Sequence, residues 1–276
     1  MPAVIRLGTV GSTNDEALTR ARAGTLPDGW VVAGEQTGGR GRHGRRWSSP
    51  TGGLYATRLI TTDLPLAELV SLTLVAGVAV HDTAAALLPG DAAAALQLKW
   101  PNDLLAGSAK LAGILVETDR IGAATDRIGA DTNRIGAATT AVAIGIGLNV
   151  AMYVAGHVAG REGPGSEIAA IEGLGGGVDT EAAFRILADR FETRYADWAA
   201  GKGLAAIRAA WEDRALGIGT AMRVRLPGGT ISGAYAGLDA DGGLLIRRES
   251  GDVQVVRAGE VFLGKSARNG AEKENV

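Results

Sequence analysis

Between Glu35 and Pro50 the chain reads Glu-Gln-Thr-Gly-Gly-Arg-Gly-Arg-His-Gly-Arg-Arg-Trp-Ser-Ser-Pro, with arginines at 40, 42, 45 and 46 and glycines at 38, 39, 41 and 44. Four permanently charged guanidinium groups cannot be packed into an apolar core. This stretch is therefore a surface loop. The apolar runs on either side of it, Trp30 to Ala33 and Leu54 to Ile60, read as strands, so the loop hangs from a sheet. Glycine lets a backbone wrap closely around a ligand, arginine forks grip phosphate or carboxylate in pairs, and Trp47 offers a flat face for a base. Read alone, the loop is either an anion clamp or an arginine–glycine run that binds nucleic acid.

Composition narrows the classes. The formal net charge is −2, so the positive charge is local and no general attraction to nucleic acid or to a membrane follows. A chain of 276 residues with 46% hydrophobic and 21% charged residues can hold one large domain and a small one. There is no cysteine, which excludes disulfides, thiolate nucleophiles and cysteine metal sites. The start, Met1 to Arg6, lacks the basic-then-apolar pattern of a secretory signal. The longest apolar stretch, about Leu69 to Val80, is broken by Ser71, Thr73 and Gly77 and reads as a buried helix. The expected location is the cytoplasm.

Along the chain, Ser12-Thr13-Asn14-Asp15 reads as a helix start, with Ser12 as cap, Ala17, Leu18 and Ala21 as the apolar stripe and Gly24 as the stop. Leu64 to Leu88 reads as one long helix ended by Pro89-Gly90. Leu96 to Trp100 is a short strand running into the Pro101-Asn102-Asp103 turn, and Lys110 to Thr118 and Ala141 to Val150 are apolar strands. Between those two strands an Asp-Arg-Ile-Gly-Ala-Ala-Thr unit recurs with a period of seven, from Asp119, Asp126 and, as an imperfect copy, Asn133. A glycine in each unit argues against a coiled coil, so residues 119–140 read as an exposed, mobile hairpin extension. Gly156 to Gly177 is glycine-rich and irregular. Phe184, Leu187, Phe191, Tyr195 and Trp198 mark the apolar face of a helix, and a second helix runs from about Leu204 to Leu216. From Met222 the pattern becomes short alternating strands with Gly- and Asp-rich turns, a small antiparallel barrel.

Three further segments stand in order with the arginine loop. They are Lys99-Trp100-Pro101-Asn102-Asp103-Leu104-Leu105, Lys110-Leu111-Ala112-Gly113-Ile114-Leu115-Val116-Glu117 and Gly145-Ile146-Gly147-Leu148-Asn149-Val150. Together with Ser12-Thr13-Asn14 they resemble the biotin–protein ligase family over nearly the whole chain. The resemblance implies an α+β fold: a class II synthetase-like catalytic domain over 1–216, a mixed sheet flanked by helices, then an SH3-like β-barrel over 217–264 and a disordered tail over 265–276. It implies an ATP-dependent ligase. Such an enzyme makes biotinoyl-5'-AMP from biotin and ATP with Mg2+, then biotinylates one lysine of a biotin carboxyl carrier protein belonging to a biotin-dependent carboxylase. The enzyme would be a monomer or weak homodimer. Repressor members of the family carry an N-terminal helix-turn-helix domain; here the Ser-Thr-Asn motif starts at Ser12, so operator DNA binding is not expected. The alternatives are a lipoate–protein ligase or related acyltransferase, which would not need the Gly-Arg-Gly-Arg loop, and a nucleic-acid-binding module, which leaves the later segments unexplained.

The resemblance also distributes roles. Lys110 and Arg42 fall at the biotin carboxylate and α-phosphate, where two anions must be brought together, and Arg40 helps fix the loop. Ser12, Thr13, Asn14, Gln36, Gly39, Arg40, Gly41 and Gly113, with Arg42 and Lys110, fall around biotin, whose ureido group suits hydroxyl and amide partners. Arg40, Arg42, Arg45, Trp47, Lys99, Asn102 and Asn149 fall on the nucleotide side. Asp103 orients or deprotonates the acceptor lysine. Each has a plainer reading: Ser12 as helix cap, Trp47 as core, Asn102 and Asp103 as turn formers, Lys110 as a surface charge. Protein ligands to magnesium are not identified. His43 stands where an arginine is common in the family; His81 and His157 have no partner spacing.

Overall fold

The computed structural model describes residues 2–121, 139–151, 167–177 and 179–263. Two compact units divide at Arg214 and Ala215, two residues before the expected boundary at 216. Most of the repeat, the first part of the glycine-rich stretch and the 265–276 tail lie outside the described residues.

The first unit is built on a seven-stranded mixed sheet. Its strands are β1 (Val4–Val10), β2 (Gly29–Gln36), β3 (Leu54–Thr62), β4 (Leu96–Lys99), β5 (Asp103–Ala106), β6 (Ala109–Ile121) and β7 (Thr139–Leu148), in the order β1-β2-β3-β7-β6-β5-β4. Only β1 and β2 run parallel; β1 and β5 have no counterpart in the sequence reading. Helix α1 (Thr13–Arg22) covers one face of the sheet. Ala17, Leu18 and Ala21 of α1 pack with Leu26, Val31, Leu59, Ala141 and Ala143. The acidic residues Asp15 and Glu16 lie in the first turn of α1 and Arg20 and Arg22 in the last, matching the helix dipole.

The other face carries α3 (Leu72–Leu87), α5 (Thr180–Trp198) and α6 (Leu204–Glu212), with the short α2 (Leu66–Leu69) and α4 (Gly90–Ala94) at the ends of α3. The expected single helix from 64 to 88 is thus stepped at Val70 and Ser71. The Ser71 hydroxyl donates to the Glu68 carbonyl and accepts the Trp198 indole N–H, which interrupts the helical ladder there. The α2–α3 stretch has the length and apolarity of a membrane span, but 67% of that window is buried against the rest of the unit. Trp30 of β2 stands edge-on between Phe184 and Phe191 of α5. Arg58, with 3% of its side chain exposed, projects from β3 to the same side and is held by Glu192 and Asp28.

The second unit is a five-stranded antiparallel sheet of β8 (Ala221–Leu226), β9 (Gly229–Leu238), β10 (Leu244–Arg247), β11 (Val253–Val256) and β12 (Glu260–Leu263), ordered β11-β10-β9-β8-β12. Met222, Val224, Tyr235, Leu238, Leu244, Ile246, Val256 and Val261 form its core. This is the small all-β domain expected from the alternation after Met222.

Candidate active site

On the α1 face of the sheet, alternate residues of β7 point the same way. Ala141 and Ala143 pack beneath α1; Gly145 and Gly147 continue the row without side chains. The apolar floor therefore drops into a trough at the end of β7, which Asn14 and Trp47 occupy. A Cβ on Gly145 would stand 2.5 Å from Asn14 Oδ1, and one on Gly147 would stand 2.6 Å from Trp47 Nε1. Gly113, opposite Gly147 on β6, leaves room for the far edge of the same indole, 3.1 Å from a would-be Cβ. These glycines exist because a side chain and a residue of the loop lie directly on the sheet. Trp47 is 7% exposed, and its indole N–H has no hydrogen-bond partner among the described residues. It is buried as a core tryptophan would be, yet it is buried in the trough and with its donor unsatisfied.

The row Lys99, Asp103, Gly113, Gly147 crosses four paired strands. Asp103 binds both neighbouring cations, Lys99 Nζ at 2.8 Å and Lys110 Nζ at 3.1 Å. Burial works against its charge, but the two ammonium groups outweigh it and hold the carboxyl below the usual carboxylate range. Lys110 Nζ also lies 5.0 Å from the Trp47 ring centroid. Three charges and an indole thus converge at the end of the glycine row. The turn that brings Asp103 there contains a cis Trp100–Pro101 bond. Asn102 closes it, its Nδ2 donating to the Ile114 carbonyl at 2.8 Å, so the side chain is engaged in fixing the turn to β6. Asn149 donates from Nδ2 to the Ala169 carbonyl at 3.1 Å and, more weakly, to that of Lys110 at 3.5 Å. Its Oδ1 is buried and has no partner among the described residues. Glu167 to Ala169 runs beside Lys110, so the end of the glycine-rich stretch edges the trough.

A second polar group lies at the start of α1. Ser12 caps the helix, accepting from the Asp15 N–H. Gln36 Oε1 accepts from Thr13 N at 2.8 Å and from Thr13 Oγ1 at 3.0 Å, and its Nε2 donates to Ser49 Oγ at 2.9 Å. Thr57, fully buried on β3, contacts Thr13 Oγ1 at 2.8 Å and Asn14 Oδ1 at 2.7 Å. Because an amide oxygen only accepts, the Thr57 hydroxyl donates to Asn14. Asn14 Nδ2 in turn donates to Glu117 Oε2 at 2.8 Å. The Asn14 amide is thus spent inside the protein, which makes it a support for its neighbours.

The arginine loop is itself a small hairpin. Trp47 N donates to Gly39 O, Gly41 N to Arg45 O, and Arg40 bridges Arg46. A 3₁₀ turn over Arg42–Gly44 forms the tip, with His43 at φ 58° and Gly44 at φ 70°. Gly39 has no space for a side chain: a Cβ would stand 2.5 Å from the Trp47 carbonyl oxygen. A Cβ on Gly41 would meet only ordinary contacts. Residues 43–46 of the tip, including Arg45, are exposed.

Thr57, Ser49, Gly145 and Gly147 carry the site's architecture and were not singled out by sequence reasoning for it. The alternation Gly145-x-Gly147 within an apolar strand is the signal that marks a close approach on one face. Thr57 gives no such signal, since a threonine in a strand is ordinary.

Comparison with known proteins agrees with this geometry. Residues 9–149 match the biotin/lipoate A/B protein ligase family, and residues 217–264 match the biotin protein ligase C-terminal domain. The chain is 36% identical over 263 residues to a biotin–[acetyl-CoA-carboxylase] ligase of Paracoccus denitrificans, covering 94% of this chain and 99% of that one. It is 35% identical over 256 residues to the ligase of the same description from Mycobacterium tuberculosis, covering 91% and 85%. A biotin protein ligase from Aquifex aeolicus, solved in complex with biotin and ATP, superposes with a TM-score of 0.70 at 27% identity over 96% of this chain and all of that one. On these grounds the chain belongs to the biotin/lipoate A/B protein ligase family.

Proposed function

We propose that this chain is a biotin–protein ligase that joins biotin to AMP and then transfers biotin to a lysine of a biotin carboxyl carrier protein. In the first step a biotin carboxylate oxygen attacks the α-phosphorus of ATP and pyrophosphate leaves. In the second the acceptor ε-amine attacks the biotinoyl carbonyl and AMP leaves. Both steps bring anions together or develop negative charge, so fixed cations and positioning do most of the work. The observation that carries the proposal is the Lys99–Asp103–Lys110 triad at the edge of a glycine-floored trough covered by Trp47.

Lys110 and Arg42 are the cations for the carboxylate and α-phosphate. Asp103 serves best as the group that holds Lys99 and Lys110 in register; a carboxyl with a lowered pKa between two ammonium groups is a weak base. Thr13 and Gln36, supported by Asn14 and Ser12, suit the ureido end of biotin, and the hairpin from Gly39 through Gly41 suits its carboxylate side. The Trp47 N–H and Asn149 Oδ1 are a buried donor and a buried acceptor without partners among the described residues, which a polar group brought in beside them would satisfy, and Arg45 and Asn102 are assigned to the same nucleotide side. Magnesium is read as arriving on the ATP phosphates. Among the described residues no three His, Cys, Asp or Glu side chains converge on a metal site, and no step here is routed through a protein-bound ion. A cytoplasmic, monomeric or weakly dimeric enzyme fits this reading.

Incubation with biotin, ATP, magnesium and a carrier domain, followed by intact-mass measurement, tests it. One biotinoyl addition on the carrier is expected. Addition of lipoate in preference to biotin would move the chain to the lipoate branch, and a salt-dependent RNA or DNA shift would favour the nucleic-acid reading.

A further inference from the structure

Arg40 does not point its charge into the trough. Its Nη1 and Nη2 donate to the two oxygens of Asp15, both at 2.6 Å, and Nη2 also reaches Glu117 at 3.3 Å. Both carboxylates are well founded. Asp15 sits in the first turn of α1, where its own N–H is capped by Ser12. Glu117 lies on β6 and is held from behind by Asn14 Nδ2, which Thr57 fixes in turn. A parallel fork on one carboxylate and a second contact on another is the strongest form of arginine pairing. We infer that Asp15 and Glu117 are positioning residues that clamp Arg40, root the arginine–glycine hairpin before any ligand arrives, and thereby set how well the acyl-adenylate is retained.

The physical need is plain. Arg42, Arg45 and Arg46 place three like charges within five residues, and residues 43–46 are exposed. The backbone holds the hairpin together internally, through Gly41 N to Arg45 O and Trp47 N to Gly39 O. Backbone bonds from Thr37 N to Val10 O and Gly38 N to Gly11 O fix its root, and side chains fasten both strands to the body: Trp47 in the trough on one strand, and the Arg40 clamp on the other. Without the clamp the Arg40 strand loses a bidentate anchor to α1 and β6, so the hairpin lifts more readily and exposes a mixed anhydride beneath it to water. The ring closes through Ser49, which accepts from Gln36 and donates to the Trp47 carbonyl, so the clamp and the biotin-side group Thr13–Gln36 share one framework.

The inference rests on the ligase reading, and its test separates the two. The full-length protein is compared with Asp15→Asn, Glu117→Gln, the double variant, Asp15→Glu, and Glu181→Gln as control. Glu181 makes an exposed pair of similar geometry with Arg6 at 2.7 Å, far from the trough. Without ligand, tryptic cleavage within residues 40–46 should speed up in Asp15→Asn by about three- to tenfold, the scale of a bidentate pair at a partly exposed site. KM for biotin should rise by a similar factor while kcat for pyrophosphate release falls less, and bystander lysines should be labelled by escaped adenylate. Asp15→Glu should restore most of this. The double variant should fall short of the product of the singles, because both carboxylates hold one guanidinium. Glu181→Gln should match wild type. Unchanged cleavage and KM in folded Asp15→Asn would overturn the clamp, and a lower KM would show that the pair withholds Arg40 from the ligand instead. If wild type releases no pyrophosphate with biotin, the ligase reading falls, while the ligand-free cleavage still decides the clamp.

Discussion

Lys110 is the residue on which most converges. Its ammonium is shared between Asp103 and the Trp47 face, and its backbone is fixed on both sides by Glu167 and Ala169. Such preorganisation matters when charge develops in the transition state and no reorganisation can be tolerated. Lys110→Ala should therefore cost about 2–4 kcal/mol of transition-state stabilisation while the fold persists. Pyrophosphate release close to wild type from the folded variant would remove Lys110 from the chemistry. Gly147 tests the trough itself. Its Cβ would stand 2.6 Å from a rigid indole that is already packed on Gly113. Gly147→Ala should cost about 1–3 kcal/mol by overpacking and should displace Trp47. A denaturation midpoint and a tryptophan emission spectrum both identical to wild type would mean that the indole lies elsewhere in solution.

At the scale of elements, β6 and β7 form the spine that carries Lys110, Gly113, Glu117, Gly145 and Gly147. The two strands remain paired out to Ile121 and Thr139, within the ends of the repeat and next to the residues 122–138 that lie outside the described ones. An Asn-Gly turn between paired residues closes a two-residue hairpin. Replacing 122–138 by Asn-Gly should accordingly leave the register and the ligation rate close to wild type. Loss of transfer to the carrier with adenylate formation preserved would show instead that the repeat meets the carrier.

The same elements show what the sequence could disclose. β3, β6 and β7 announced themselves by apolar, β-branched runs, and α1 by its cap and stripe. β1 and β5 did not. Val4–Val10 has its four apolar residues broken up by Arg6, Gly8 and Thr9 and stands at a sheet edge, and Asp103–Ala106 is four residues long. The stepped helix was hidden because its cause, the Ser71–Trp198 hydrogen bond, joins residues 127 apart. Of the site, the charged residues were visible as motifs. The direction in which they point was not: that Asn14 faces inward to Thr57, and Arg40 faces Asp15 rather than the trough, depends on which strands become neighbours.

Across the whole first unit, one carboxylate joins the helical layer. Asp82 of α3 accepts from Arg194 Nη2 of α5 at 2.8 Å and from Arg214 Nε, beyond α6, at 2.7 Å. The Arg214 carbonyl also accepts from Leu98 N at 2.7 Å, one residue before Lys99 of the triad. Burial opposes the Asp82 charge, yet hydrogen bonds from His81, Arg194 and Arg214 outweigh it and hold the carboxyl well below the ordinary range. A carboxyl whose pKa is lower folded than unfolded stabilises the fold fully above its unfolded value, about 3.9, and loses that contribution as pH falls toward its folded value. Asp103 acts with the same sign. Asp82→Asn should thus cost about 2–4 kcal/mol at pH 7, where two arginines lose their counter-charge. The gap between variant and wild type should narrow as pH falls below about 4, because wild type then forfeits what the variant never had. Urea midpoints at pH 7, 4 and 3 measure this directly. Parallel loss of stability in both proteins below pH 4 would mean that Asp82 is not charged and clamped in the native state, and that the helical layer is held by packing alone.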